Sequence, residues 1–281
     1  MENLQLIFDK FERYFLANHL FYVAVIFALI LNYWIFPKKI RPIYSRRQML
    51  NDFILFFIPL MPVVSSVWNF IFSLGLSSVS VASWFKINFL IIDVLVYCLL
   101  SSFVGYWVHR LFHLKLSWYI HRLHHSGRDF NVILKFRANP FELTVHSLSF
   151  LLIYSVVSFE VYVYTFVGAL RVFHEMLLHG DGVKNFPRFI RVIFVTPENH
   201  KVHHLLEPVN PRGVNFSNDL VIWDKLFKTY CGNSGANGEV GVRFDGGDLV
   251  EERFFLKMVF DDMKDLGSNL LNLLGRYFFK K

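Results

Sequence analysis

From Phe53 to Phe85 the chain runs for 33 residues without a charged side chain. An uncharged helix needs only about 20 apolar residues to cross hydrocarbon. Inside lipid such a run must satisfy its own backbone polar groups, which restricts it to helix. Pro59, Pro62 and Gly75 interrupt it, so it is read as one span plus an outer connector. Two further candidates flank it: Leu20–Phe36, uncharged and ended by Pro37, and Ile87–Val108, where Asp93 is the only charge. Lys38, Lys39, Arg41, Arg46 and Arg47 crowd the loop after the first span. A short loop this basic marks the cytoplasmic side, and two more crossings bring the chain back to that side at His109.

Composition agrees. Apolar residues make up 54% of the chain, and Phe alone fills 33 positions. The net charge of +7 lies beside apolar spans and not in a soluble basic domain, so an anionic membrane surface is the expected partner and nucleic acid is not. Leu4, Ile7, Phe8, Phe11 and Phe15 stand at helical spacing, which suits an amphipathic helix at the interface or a surface helix packed on the protein. Glu2, Asp9 and Glu12 precede the first apolar run in place of a signal peptide's basic region, so that run is expected to be retained. With only Cys98 and Cys231, neither a disulfide framework nor a cysteine zinc motif is available.

Eleven of the 12 histidines fall between His109 and His204, where even scattering would place about four. His109 and His113 are four apart at the end of a predicted helix. His121, His124 and His125 are spaced i, i+3, i+4, and His200, His203 and His204 repeat the pattern. Each group therefore turns its imidazoles to one helix face. His174 and His179 form a looser pair, and His146 reads as a core histidine. Imidazole is the commonest metal ligand, and a nearly pure imidazole set suits Fe, Zn, Cu or Ni. Eight to ten such ligands exceed what one ion takes, so two ions sharing a cleft are expected.

The apolar stretch Leu143–Leu178 separates the early histidines from the late ones. If both build one site, it must cross an even number of times, as two helices or a re-entrant hairpin turning near Ser158–Glu160. Acidic residues near the cluster are candidates to orient the ligands: Asp129, Glu142, Glu175, Glu198, Asp219 and Asp224. Arg137 and Lys201 would meet the membrane surface or lipid phosphate. Beyond Tyr230, a Gly-rich passage leads to residues 249–281, read as an amphipathic helix at the membrane surface.

Over residues of about 100–230 the chain resembles the fatty acid hydroxylase and sterol desaturase superfamily. The resemblance rests on four passages: His109-Arg-Leu-Phe-His113, Trp118-Tyr-Ile-His121-Arg-Leu-His124-His125-Ser126, Thr196-Pro-Glu-Asn-His200-Lys-Val-His203-His204, and the closing Asn215…Trp223-Asp224-Lys-Leu-Phe227-Lys-Thr229-Tyr230. It implies an all-α fold, an integral-membrane helical bundle with a cytosol-facing histidine-rich helical cap. It implies two iron ions held by His109, His113, His121, His124, His125, His179, His200, His203 and His204, with His174 a further candidate. Beyond these ligands it implies no catalytic residue; Asp224, Asn215 and Glu198 are the nearest candidates. The implied domains are 1–108 (interfacial helix and spans), 109–230 (catalytic region with the membrane hairpin at about 143–178) and 231–281 (amphipathic tail). Asn139 replaces a histidine common in the family, and Phe216-Ser217 and Lys228 stand where Tyr-Gly and Gly are frequent.

The activity so implied is O2-dependent hydroxylation or desaturation of a lipid of fatty acid, sterol or ether-lipid type. The chain lacks a dinucleotide fingerprint and a haem or iron–sulfur motif, so electrons are expected from an external donor, a protein or a reduced pterin. The passage around His200 resembles the ether-lipid monooxygenase branch. The alternative is a zinc- or nickel-binding membrane transporter or metallohydrolase. Transporters, however, tend to place ligands at mid-membrane depth, and here the triplets lie in polar segments at a cytoplasmic edge.

Overall fold

The computed structural model describes residues 89–278 except 129, 131, 158–160, 181–185, 208–212, 233–236 and 244–254. The segment 4–15, the first two span candidates, the basic loop between them, Asp129 and the turn at 158–160 lie outside the described residues. Helix α1, Leu90–Phe112, has 23 residues, about 34 Å at 1.5 Å per residue. Among the described residues it is the one helix long and apolar enough to cross a membrane. Tyr97, Ser101, Gly105 and His109 form its buried stripe, while Leu95, Leu99 and Phe103 form an exposed one.

Pro140–Val156 (α2) and Val161–Leu178 (α3) pack on α1 around a buried core of Tyr97, Ile153, Val157, Val163 and Val167. Gly105 leaves room for the end of the Arg171 side chain from α3: a Cβ there would meet Nη2 at 2.9 Å. Asn139 caps α2, its side chain accepting from Phe141 N at 3.0 Å, and Pro140 occupies the first turn, where its missing N–H costs nothing. The start of α2 and the end of α3 both meet the histidines. Glu142 lies 3.0 Å from His121 and His179 lies 3.3 Å from His124. The pair is thus an antiparallel hairpin, and the early and late histidines share one end of it.

Short elements complete that end. Trp118–His125 (α4) carries the first triplet, followed by a 3-10 turn at Val132–Phe136. Arg188–Ile193 (α5) leads into Pro197–His203 (α6), whose start is a capping box between Thr196 and Asn199. Ile222–Leu226 (α7) follows. Only isolated bridges, Phe194 with Leu220 and Leu205 with Val240, break the all-helical pattern of the described residues.

The last helix, Phe255–Phe278 (α8), is amphipathic as expected and lies along α4. Arg122 pairs with Asp262 and, at 2.7 Å, with Asp265; Asn269 donates to the Tyr119 hydroxyl at 3.1 Å. Arg137 departs from the expected place at the membrane surface. It is only 2% exposed, with Nη2 3.8 Å from the Met258 sulfur, because α8 covers it.

Among the described residues, two that are not glycine occupy the left-handed region, Asn215 (φ 53°) and Lys228 (φ 58°). Asn tolerates that conformation; a Lys Cβ is strained in it. Ser217, where relatives of the family often carry Gly, is not in that region. Lys228→Gly should therefore stabilise the chain by up to about 1 kcal/mol, read as a raised melting temperature in detergent, whereas Ser217→Gly should not.

Candidate metal centre

Nine histidines converge, and they do so in two groups. His109 and His113 come from the end of α1, His121, His124 and His125 from α4, His179 from just past α3, and His200, His203 and His204 from α6 and its last turn. One atom each from His109, His113, His121, His125 and His203 lies within 4.8 Å of every other, and the same holds for His124, His179, His200 and His204. The i, i+3, i+4 triplets straddle the division: each gives residues to both groups. His125 and His204, one from each group, stack with ring centroids 4.2 Å apart.

Five of the rings are turned by their Nδ1 atoms. His109 faces the Phe216 carbonyl at 2.7 Å, His203 that of Val214 at 2.8 Å, His179 that of Glu175 at 2.7 Å and His124 that of Arg137 at 3.3 Å; His121 faces the Glu142 carboxylate at 3.0 Å. A carbonyl only accepts, so Nδ1 carries the proton and the Nε2 lone pair points inward. The inward atoms crowd together: Nε2 of His124 and His179 are 3.3 Å apart, His179 and His200 3.1 Å, His200 and His204 3.2 Å, and His121 and His125 3.2 Å. Buried Nε2 atoms of His109, His113 and His203 have no hydrogen-bond partner. Converging lone pairs and orphaned buried nitrogens are what a cation would satisfy, and the donor set fits two of them.

Burial holds these rings neutral, the form that ligates. His121, His124, His125, His200, His203 and His204 all sit well below the usual histidine range through desolvation, reinforced by neighbouring imidazoles, and His179 is lowered to about 4 by the same desolvation. An aromatic jacket surrounds the cluster. Trp118 lies 5.1 Å from both His113 and His125, Phe216 5.1 Å from His113, and Phe130 5.4 Å from both His179 and His204.

The segment Val214–Ser217 supplies two of the orienting carbonyls, and the closing motif holds that segment in place. Asp224 accepts from Phe216 N at 2.8 Å, Ser217 N at 3.0 Å and the Thr229 hydroxyl at 2.7 Å. Asn215 donates to the carbonyls of Asn199 at 2.9 Å and Gly232 at 3.2 Å and accepts from Cys231 N at 2.8 Å. Both candidates from the sequence therefore act through backbone and touch no imidazole themselves. Glu142 bonds His121 directly. Glu175 pairs with Lys135 while its carbonyl takes His179. Asp219 pairs with Arg171 at 2.8 Å, and Glu198 sits partly buried in the first turn of α6. His174 stands outside both groups, its Nε2 donating to the Val195 carbonyl at 3.1 Å. His146 also stands apart, between the rings of Phe112 and Phe150.

Comparison with known proteins agrees with the geometry. Residues 94–229 match the Fatty acid hydroxylase family model. This segment, just under half of the chain, is similar to the fatty acid hydroxylase family. It is 27% identical to the alkylglycerol monooxygenase of Homo sapiens over 140 residues, 46% of this chain and 30% of that protein. To the ornithine lipid hydroxylase of Rhizobium tropici it is 30% identical over 137 residues, 47% of this chain and 39% of that protein. The match thus spans well under half the length of these curated relatives. No solved structure matches the chain.

Two outcomes are expected. Asp224→Ala strands the buried N–H groups of Phe216 and Ser217 and should cost on the order of 3 kcal/mol, seen as a lower melting temperature together with weaker metal retention as Phe216 frees His109. Acid should destabilise the metal-free chain. Unfolded histidines take up protons below about pH 6.5, and the folded rings refuse them until far lower, about 4 at His179. Stability is therefore full above pH 6.5 and falls steadily towards pH 4, which thermal melts across that range would record.

Proposed function

We propose that this chain is a multi-pass membrane oxidoreductase that hydroxylates a lipid with dioxygen, using two iron ions held by histidine alone. One observation carries the reading: nine imidazoles, eight of them buried and that of His113 partly so, fall into two abutting groups, with five of the rings turned inward by a protein oxygen. His109, His113, His121, His125 and His203 would hold one ion, and His124, His179, His200 and His204 the other. His174, bonded to the residue before the α6 cap, would position α6 and leave both ions to the other nine. When bound, the irons would supply reductive activation of dioxygen and removal of hydrogen from an unactivated C–H bond.

The chain's own residues supply the rest. The carbonyls of Val214, Phe216, Arg137 and Glu175 and the Glu142 carboxylate orient ligands. Trp118, Phe130 and Phe216 keep water from the cluster, which protects a reactive centre from side reactions. The balance is RH + O2 + 2 electrons + 2 protons giving ROH + H2O, with the electrons from an external protein or a reduced pterin. The names of the relatives favour hydroxylation over desaturation and a glycerol ether or acyl-amino lipid as substrate class. The helical cap would face the cytoplasm, above spans that include α1 and the α2–α3 hairpin, with 1–108, 109–230 and 231–281 as spans, catalytic region and tail.

Purified in detergent, the chain should hold about two irons. With reductant and a membrane-lipid extract under 18O2 it should give a product heavier by one labelled oxygen. His124→Ala and His203→Ala, one in each group, should each lower iron content and abolish that product. Unchanged metal content in both variants would defeat the reading. Bound zinc or nickel without oxygen consumption would favour a transporter or metallohydrolase, and a product lighter by two hydrogens a desaturase.

A further inference from the structure

Helices α5 and α7 are short, adjacent and apolar on the outside. Val221 N donates to the Ile193 carbonyl at 3.0 Å, Val195 N to the Asp219 carbonyl at 2.9 Å, and Lys225 Nζ to the Val192 carbonyl at 3.2 Å, so the two move as one unit. Their outer surface is Phe189, Val192, Ile193, Phe194, Ile222 and Leu226, with Phe189 68% and Leu226 61% exposed. Leaving six large apolar side chains in one patch to water is unusual for a surface with no partner. The rim is basic: Arg188, Arg191, Lys225 and Lys228 are all exposed.

The patch is continuous with the apolar face of α1. Trp223 packs edge-on to Phe103 at 4.9 Å and donates its indole N–H to Ser102 at 2.8 Å, and Phe227 lies 4.8 Å from Trp107. Phe103 closes the exposed stripe that begins at Leu95 and Leu99. Gly105, at the centre of this docking point, lies three residues, about 4.5 Å at 1.5 Å per residue, inside the end of the span at Val108, close to the level where a span meets headgroups and Trp concentrates.

We propose that the α5–α7 patch is a foot that enters the leaflet on the histidine side of the membrane, its six apolar side chains among the acyl chains and its four cations on anionic lipid headgroups. An anionic leaflet is the occupant that matches both halves, because a protein partner would need acidic groups ringing an apolar knob, whereas lipid presents that arrangement everywhere. The foot links the membrane to the metal centre. Asp224 lies inside α7, and the residue after α5 leads through Val195 to the α6 cap. The inference rests on the reading of α1 as a span.

The test uses the full chain with Cys98→Ser and Cys231→Ser, in nanodiscs of phosphatidylcholine and phosphatidylglycerol at about 7:3. A spin label is placed by Phe189→Cys, Leu226→Cys, Leu95→Cys or Glu239→Cys. Electron paramagnetic resonance then compares collision with oxygen, which enters lipid, and with a water-soluble nickel chelate. Labels at 189 and 226 should favour oxygen severalfold over the label at Glu239, which lies on the exposed surface away from the patch. Arg188→Glu with Arg191→Glu should erase much of that preference, as should nanodiscs of phosphatidylcholine alone. In the chain without substitutions, hydroxyl-radical footprinting should find Phe189 and Leu226 protected, which keeps the test open if a labelled variant misfolds. If the labels at 189 and 226 match Glu239 while Leu95 stays in lipid, the foot is wrong and the span stands. If Leu95 also meets nickel, the span reading itself fails. Protection of 189 and 226 that rises with protein concentration, without lipid accessibility, would assign the patch to a second copy and overturn the proposal.

Discussion

Nine imidazoles can be packed side by side, eight of them buried, only if they stay neutral and each turns a defined nitrogen inward, and the rest of the structure answers to that constraint. A free imidazole chooses between two tautomers; one held against a carbonyl has no choice. Val214, Phe216, Arg137 and Glu175 supply such carbonyls to His203, His109, His124 and His179. The surrounding elements serve to bring those oxygens into place. Asp224 grips the 216–217 backbone, Asn215 accepts a left-handed conformation to present the carbonyl on each side of it, and the 3-10 turn sets Arg137 behind His124.

The same constraint explains the hairpin. His179 is 54 residues beyond His125 in sequence but meets His124 through Nε2, which requires α2 and α3 to leave and return. Tyr97, Ile153, Val157, Val163 and Val167 pack the far part of the bundle. The near end therefore stays open for polar chemistry. The salt links of Arg122 to α8 and of Lys135 to Glu175 brace the helices and turns that carry ligands, at the edge of the apolar bundle where charged side chains can still be partnered.

The resemblance and the spacing of the triplets anticipated the helical fold, the gathering of nine histidines and the folding of 143–178 as two helices. They were less informative where the chain works through groups that carry no letter. No residue code announces a backbone carbonyl, so the roles of Phe216, Val214 and Arg137 are invisible in the sequence, where Arg137 itself reads as a surface cation. Asp224 and Asn215 stood out through their motif, but contact with a histidine was the natural guess and contact with backbone the observed one. His174 shared the region and the residue type of the nine converging histidines, yet five residues ahead of His179 it faces another side of the helix and finds Val195.

By itself the sequence determined what is set by local chemistry: which segments are apolar enough for lipid, which histidines share a helix face, and that any metal would meet imidazole and not thiolate. Periodicity and composition suffice for these because each depends on neighbours along the chain. Only the tertiary structure decided how the triplets divide between two groups, which oxygen turns each ring, and that α5 and α7 leave a basic-rimmed apolar patch beside α1. Those depend on contacts between residues as far apart as His109 and Phe216, and the energy of such a contact is written in no single stretch of sequence.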